Sequence, residues 1–301
     1  LSSSVMGKLA HIILNSFYQE LIDRSYFTTN SFSVDVRATL EAATRRAFSD
    51  YEMEGPVGYP VAWEIVQEEL AELLGRVVTQ DLQELSQSGY RPLMLEVEAK
   101  ERLKGKWPVS LGRLTIHGRM DRIDHQPEQN RYRVIDYKLK SGRNRSPEDN
   151  NLPRSALRGQ RLQPPFYLLL AKRFVAPRGK GATDPTFEAA FHFLAPAWPK
   201  GPLVAELLPE DAWDGKLGEG LKETLSLLLD GIHQGRFFIH PGPYCARCEV
   251  SEVCRKNHLP TLWRAESDPV AKPHRNLRQK NLIKENSDQE KKPHSRRKKG
   301  P

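Results

Sequence analysis

The chain has 301 residues, long enough for one large domain or two small ones with a substantial core. Its net charge of +8 is carried by residues 272–301, where 11 Lys/Arg face 3 Asp/Glu, so residues 1–271 are formally neutral. The basic balance alone therefore does not make the folded body a nucleic-acid binder. No apolar run reaches membrane-spanning length, no signal-peptide pattern opens the chain, and an apolar content of 38% leaves room for an unstructured part.

Residues 5–23 place Val5, Leu9, Ile12, Ile13, Phe17 and Leu21 on one helical stripe. His11 lies beside that stripe, on the track Gly7–His11–Leu14–Tyr18, as either a core or surface histidine or a ligand. Further helices are expected near 35–53 and 61–87, the second from Leu70, Leu73, Leu74, Val77, Val78 and Leu82. Strands follow at about 93–99, 109–124 and 131–140. In the first, Glu96 and Glu98 alternate with apolar neighbours, and Glu98 is the one that could face a site.

The stretch GRMDRIDHQPEQNRYRVIDYKLKSG, 118–142, reads as a β-hairpin turning near residues 127–128. Asp136 and Lys138 are two apart and share a face. Asp121 is then expected opposite residue 134, within about one pair of Asp136. Two carboxylates and an ammonium on one patch are either a solvated charged face or a site for a hard divalent cation such as Mg²⁺.

Residues 158–174 suit a helix with its two prolines in the first turn and Gln163 and Tyr167 on one face. An ordinary amphipathic helix with a buried tyrosine would look the same. A strand at 187–196 and a helix within 209–235 follow. All three cysteines then fall inside ten residues, Cys245, Cys248 and Cys254. That spacing favours a metal or cluster site in a reducing compartment, here the cytoplasm, over a disulfide framework. The expected organisation is a body over 1–239, a cysteine segment over 240–258 and a basic disordered tail over 259–301. The tail is a solubilising extension or a weak electrostatic hold on DNA.

In order, the motifs are G-x-x-x-H (Gly7, His11), G-x-x-D (Gly118, Asp121), D-x-K (Asp136, Lys138), Q-x-x-x-Y (Gln163, Tyr167) and C-x2-C-x5-C. Together, over about residues 5–256, the chain resembles the PD-(D/E)XK nuclease superfamily. The nearest likeness is to RecB-like exonuclease domains, of AddB-type helicase–nuclease subunits and of CRISPR-associated exonucleases with an iron–sulfur cluster. The resemblance implies an α/β fold, a central mixed sheet flanked by helices, and metal-dependent DNA cleavage. By it, His11, Asp121, Asp136 and the Tyr137 carbonyl hold Mg²⁺ or Mn²⁺. Lys138 orients the attacking water, while Gln163 and Tyr167 steady the lysine and the DNA backbone. The cysteines would ligate a 4Fe-4S cluster.

The family's fourth cysteine, upstream of the G-x-x-x-H helix, is absent from residues 1–10. It is expected before Leu1, in a longer polypeptide; the alternative is zinc with His258 completing a Cys₃His set. No G-x-x-x-x-G-K-[ST] loop occurs, so a helicase-like motor would lie upstream or on a partner chain. Two other readings share the fold: a non-catalytic DNA-binding or assembly module, and a CRISPR spacer-processing nuclease.

Overall fold

The computed structural model describes residues 3–28, 33–103, 111–142, 152–174, 184–196, 204–239, 241–242, 245–246 and 248–280. Three helices open the chain: α1 (Ser3–Asp23), α2 (Val36–Glu54) and α3 (Pro60–Ser88). Each boundary has a local cause. The Asp35 carboxylate accepts the Ala38 N–H at 2.9 Å and caps α2, Pro60 occupies the first turn of α3, and Gly89 ends α3 in the left-handed region.

A five-stranded sheet follows in the order β1 (Arg91–Arg102), β2 (Thr115–Gln126), β3 (Arg131–Gly142), β4 (Thr186–Pro196) and β5 (Val204–Leu208). The first three strands form an antiparallel meander, β3 and β4 are parallel, and β5 returns antiparallel. Helices α4 (Leu152–Leu157) and α5 (Gln163–Ala171) make the crossover, and α6 (Gly215–His233) follows β5. The expected mixed α/β architecture is present. Strand β5 has no counterpart among the expected elements, and the expected helix over 158–174 is confined to α5.

The period of two along the central strands sorts two cores. Val134 of β3 and Ala189, Phe191 and Phe193 of β4 pack towards α5 and α6. Ile135 and Tyr137, with Ala190 and Leu194, pack towards α1, α2 and α3. The sheet is thus covered on both faces.

Alternation fails in the middle of β1 and β2. Met120 and Ile123 both pack on the α5 side, although they are three apart, and Met94 and Val97 do the same on β1. Between them, Leu95 pairs with Arg122 and Val97 with Met120, while Glu96 and Asp121 drop out of the ladder. Glu96 sits at φ +49°, unusual for a side-chain-bearing residue and a mark of local strain. Both strands switch face at this point, and the two carboxylates leave the sheet there.

Residues 259–280 depart from the expected tail. Helices α7 (Leu259–Ser267) and α8 (Lys272–Asn276) form, and Ala271 and Leu277 are buried. Gly231 of α6 has no side chain where the His274 ring sits: a Cβ there would come within 2.8 Å of it. Lys280 Nζ donates to the Gly220 carbonyl at 2.8 Å and pairs with Glu223 at 3.0 Å. With only two apolar anchors, this packing leaves almost no hydrophobic periodicity to read. Residues 281–301 lie outside the described residues.

Candidate active site

The hairpin turn spans residues 127–130, with Asn130 at φ +49°, and so is centred later than expected. Ile123, not Asp121, therefore pairs with Val134, and Arg122 pairs with Ile135. The next position brings Asp121 level with Asp136. Rather than continuing the ladder, Asp121 Oδ2 accepts the Tyr137 N–H at 2.7 Å.

Around that junction the predicted side chains meet. From α1, His11 Nε2 lies 3.1 Å from the Tyr137 carbonyl and Nδ1 lies 3.4 Å from Asp121 Oδ2. Lys138 forms an ion pair with Asp136 and donates to Gln163 Oε1 at 3.2 Å. Gln163 Nε2 donates to the Tyr167 hydroxyl at 3.3 Å, and that hydroxyl donates to Asp136 Oδ1 at 3.1 Å. Asp136, Lys138, Gln163 and Tyr167 thus close a ring of four polar contacts. Gly118 lets α5 settle close to β2: a Cβ there would lie 3.0 Å from Leu170 and 3.4 Å from the Tyr167 ring, and both side chains would have to give way.

Glu96 completes the group, where Glu98 is the glutamate expected to face a site. Ligand atoms of His11, Glu96 and Asp121 lie within 4.8 Å of one another. The break in β1 turns Glu96 towards the site, whereas strict alternation puts Glu96 and Glu98 on one face and cannot separate them. A positive φ in mid-strand has no sequence signal when the residue is not glycine. Glu96 also pairs with Arg119.

Electrostatics fit a cation. Burial, then the Asp121 charge, push the Asp136 carboxyl above its ordinary range, against the pull of Lys138. The same two causes raise Glu96, with Arg119 opposing. Burial lowers His11, but the Asp121 contact and the Asp121 and Asp136 charges outweigh it and raise it overall. Carboxylates that raise one another's proton affinity favour added positive charge, and an oxygen set plus one imidazole suits a hard divalent ion. The donor set therefore fits the implied metal.

Directly beneath lies a second charged group. Arg122, fully buried, donates to Asp81 at 2.6 and 3.2 Å, to Asp124 at 2.9 Å and to the Tyr137 hydroxyl at 2.9 Å. The Tyr18 hydroxyl donates to Asp81 as well. Of its two carboxyls, Asp124 is raised to about 6 by burial and the Asp81 charge against Arg122; Asp81 is held low by Arg122 despite its burial.

The cysteines lie far along the chain from this site, in tight turns. Gly242 N–H donates to Cys245 Sγ at 3.3 Å, and Ser251 N–H donates to the Cys248 carbonyl at 3.0 Å. Among the described residues they are not drawn together with His258 at the spacing of a formed tetrahedral zinc site. His258 precedes α7 and its Nδ1 lies 2.8 Å from Thr261 Oγ1.

A family model for the PD-(D/E)XK nuclease superfamily matches residues 1–255. The chain is also similar to an ATP-dependent helicase/deoxyribonuclease subunit from Lacticaseibacillus casei (strain BL23), 28% identical over 151 residues, and equally to its counterpart from Lacticaseibacillus paracasei. Each match covers 46% of this chain and 12% of the relative's length. With the family's match running through every element that builds the site, the chain belongs to the PD-(D/E)XK nuclease superfamily.

Proposed function

We propose that this chain cuts phosphodiester bonds of DNA with a divalent metal, Mg²⁺ or Mn²⁺, as the exonuclease part of a recombination-repair helicase–nuclease. The observation that carries the reading is the convergence of His11, Glu96, Asp121 and Asp136 beside Lys138 at the break in the sheet. His11, Glu96, Asp121, Asp136 and the Tyr137 carbonyl would hold the ion. When bound, it supplies acidified water and positive charge against the phosphate. Lys138 places its ammonium where charge grows on the phosphate in the transition state. Gln163 and the Asp136 carboxylate hold that ammonium, and Tyr167 fixes the other oxygen of Asp136. The helicase–nuclease setting is supported by the names of the similar proteins, and a motor would then lie on another part or another chain.

In the same reading Cys245, Cys248 and Cys254 supply three thiolates to a 4Fe-4S cluster, the fourth ligand coming from elsewhere. Iron and zinc analysis of anaerobically purified protein tests this: iron supports it, and one zinc without iron overturns it.

End-labelled DNA should be degraded with Mg²⁺ or Mn²⁺ and spared in EDTA. Lys138→Ala should lower kcat by about 10²–10³-fold, the scale of losing one transition-state charge contact, with DNA binding in EDTA little changed. Near-wild-type cleavage by Lys138→Ala would overturn the reading.

A further inference from the structure

Beside the catalytic lysine runs a cleft of ≈ 540 Å³, lined by Lys138, Arg161, Leu162, Phe166, Phe191 and Phe193 among others. It has a local cause. Gly159, at φ +70°, ends α4; its amide donates to the Ala156 carbonyl, and the next amide, Gln160, donates to Ser155. A Cβ at Gly159 would meet Leu228 of α6 at 3.0 Å, so this glycine serves both the turn and the close approach. The chain is thereby turned so that Arg161 lies over β4 before α5 begins.

Two cations stand over an aromatic floor. Lys138 Nζ lies 5.1 Å from the Phe191 ring centre, and the Arg161 guanidinium lies 5.7 Å from Phe191 and 5.9 Å from Phe193. Arg161 is held by an ion pair with Glu206 of β5, and its side chain remains about one-third exposed. Phe166 and Leu162, both half-buried, supply the apolar wall. Positive charge, flat apolar surface and small-molecule volume together suit a ligand with an anionic and an aromatic part.

We propose that this cleft is a nucleotide subsite that takes one unpaired nucleotide next to the bond being cut, Arg161 binding its phosphate and Phe166 with Leu162 receiving its base. The inference rests on the reading of the neighbouring site as a DNA-cleaving centre. A paired base, stacked on both faces, cannot enter such a cleft, so the substrate is single-stranded where it is cut. The Arg161–Glu206 pair neutralises the guanidinium until a phosphate competes for it.

The test is fluorescence anisotropy in EDTA, where no cleavage occurs, with a short labelled oligothymidylate, the same strand made abasic, and a blunt duplex. The oligothymidylate should bind about tenfold more tightly than the abasic strand and more tightly than the duplex, and Arg161→Ala should weaken it about tenfold. Glu206→Gln frees the guanidinium and should tighten binding about threefold, a gain that damage to the fold does not produce. Glu41→Gln, on α2 across the sheet, controls for the loss of any one negative charge and should change nothing.

Equal affinity for duplex and single strand, or indifference to both Arg161→Ala and Glu206→Gln, would overturn the subsite. If Arg161→Ala lowers the melting temperature sharply, the comparison of Glu206→Gln with Glu41→Gln decides alone. A chain that passes these binding tests yet cuts nothing with Mn²⁺ keeps the subsite and loses the nuclease reading. One that cuts but ignores Arg161 does the reverse.

Discussion

Two acidic groups three residues apart on β2, Asp121 and Asp124, have opposite fates. Asp124 is buried against Arg122, which also serves Asp81, so this lower group carries its own cation inside the protein. Asp121 leaves the ladder towards His11, Glu96 and Asp136, and the nearest cation, Lys138, is engaged by Asp136 and Gln163. The lower group ties α3 to the sheet and presents Tyr137 through its hydroxyl. The upper group uses the main chain of that same tyrosine. An anion with a fully buried counterion holds the fold; a cluster whose cations, Lys138 and Arg119, remain partly exposed is shaped to take a further cation from solution.

Removing the internal cation should produce the largest effect. Arg122→Met leaves Asp81 and Asp124 buried without their cation, at a cost of about 3–5 kcal/mol. Asp121→Asn, by contrast, relieves repulsion in the upper group and should leave the melting temperature within a few degrees while abolishing cleavage. Thermal melts of the two variants side by side break the comparison if both unfold or neither does.

Gly118→Ala falls between them. The added methyl pushes on Leu170 and Tyr167, costing about 1–3 kcal/mol of overpacking. Because Tyr167 fixes Asp136, cleavage should fall further than the lost stability explains, measured on protein held well below its melting point.

A pH effect should be smaller. Asp136 and Glu96 have raised pKa values, so the folded state holds their protons more tightly than the unfolded chain. Metal-free stability should therefore decline as pH rises from their ordinary values of 3.8 and 4.5 upward. Asp121→Asn removes a shared cause of both shifts and should flatten the decline, as read from urea midpoints across that range. An unchanged slope in the variant would show that Asp121 is not what raises them.

The smallest expected effect lies outside both groups. Residues 281–301 carry seven Lys/Arg and three Asp/Glu. Their deletion should leave the melting temperature unchanged and lower the salt slope of DNA binding by at most about 6, the bound for seven phosphate contacts. Deletion from 265, by contrast, removes the buried Ala271 and Leu277 and strips His274 and Lys280 from α6, and should destabilise the protein measurably.

Much of this is legible in the residues. Helical periodicity places α1 to α3, and the D-x-K spacing puts Asp136 and Lys138 on one face. Two local departures from ideal geometry are not legible. The turn at 127–130 shifts the hairpin register, and the positive φ at Glu96 separates two glutamates that alternation puts on one face. Neither has a glycine to announce it. Arg122 is hidden for a different reason: a charged residue in a strand reads as solvent-facing, and its burial depends on Asp81, a residue of α3 forty-one positions earlier. Strand β5, with only five residues, is too short for its alternation to stand out.

The most direct test is a calorimetric titration of Mn²⁺ into the metal-free wild type, Asp121→Asn and Asp124→Asn. Wild type and Asp124→Asn should bind with similar affinity, and Asp121→Asn should lose at least about tenfold, the scale on which even a supporting partner of a ligand matters. Wild-type affinity in Asp121→Asn, or an equal loss in a folded Asp124→Asn, would contradict the division between the two groups and with it the assignment of the metal.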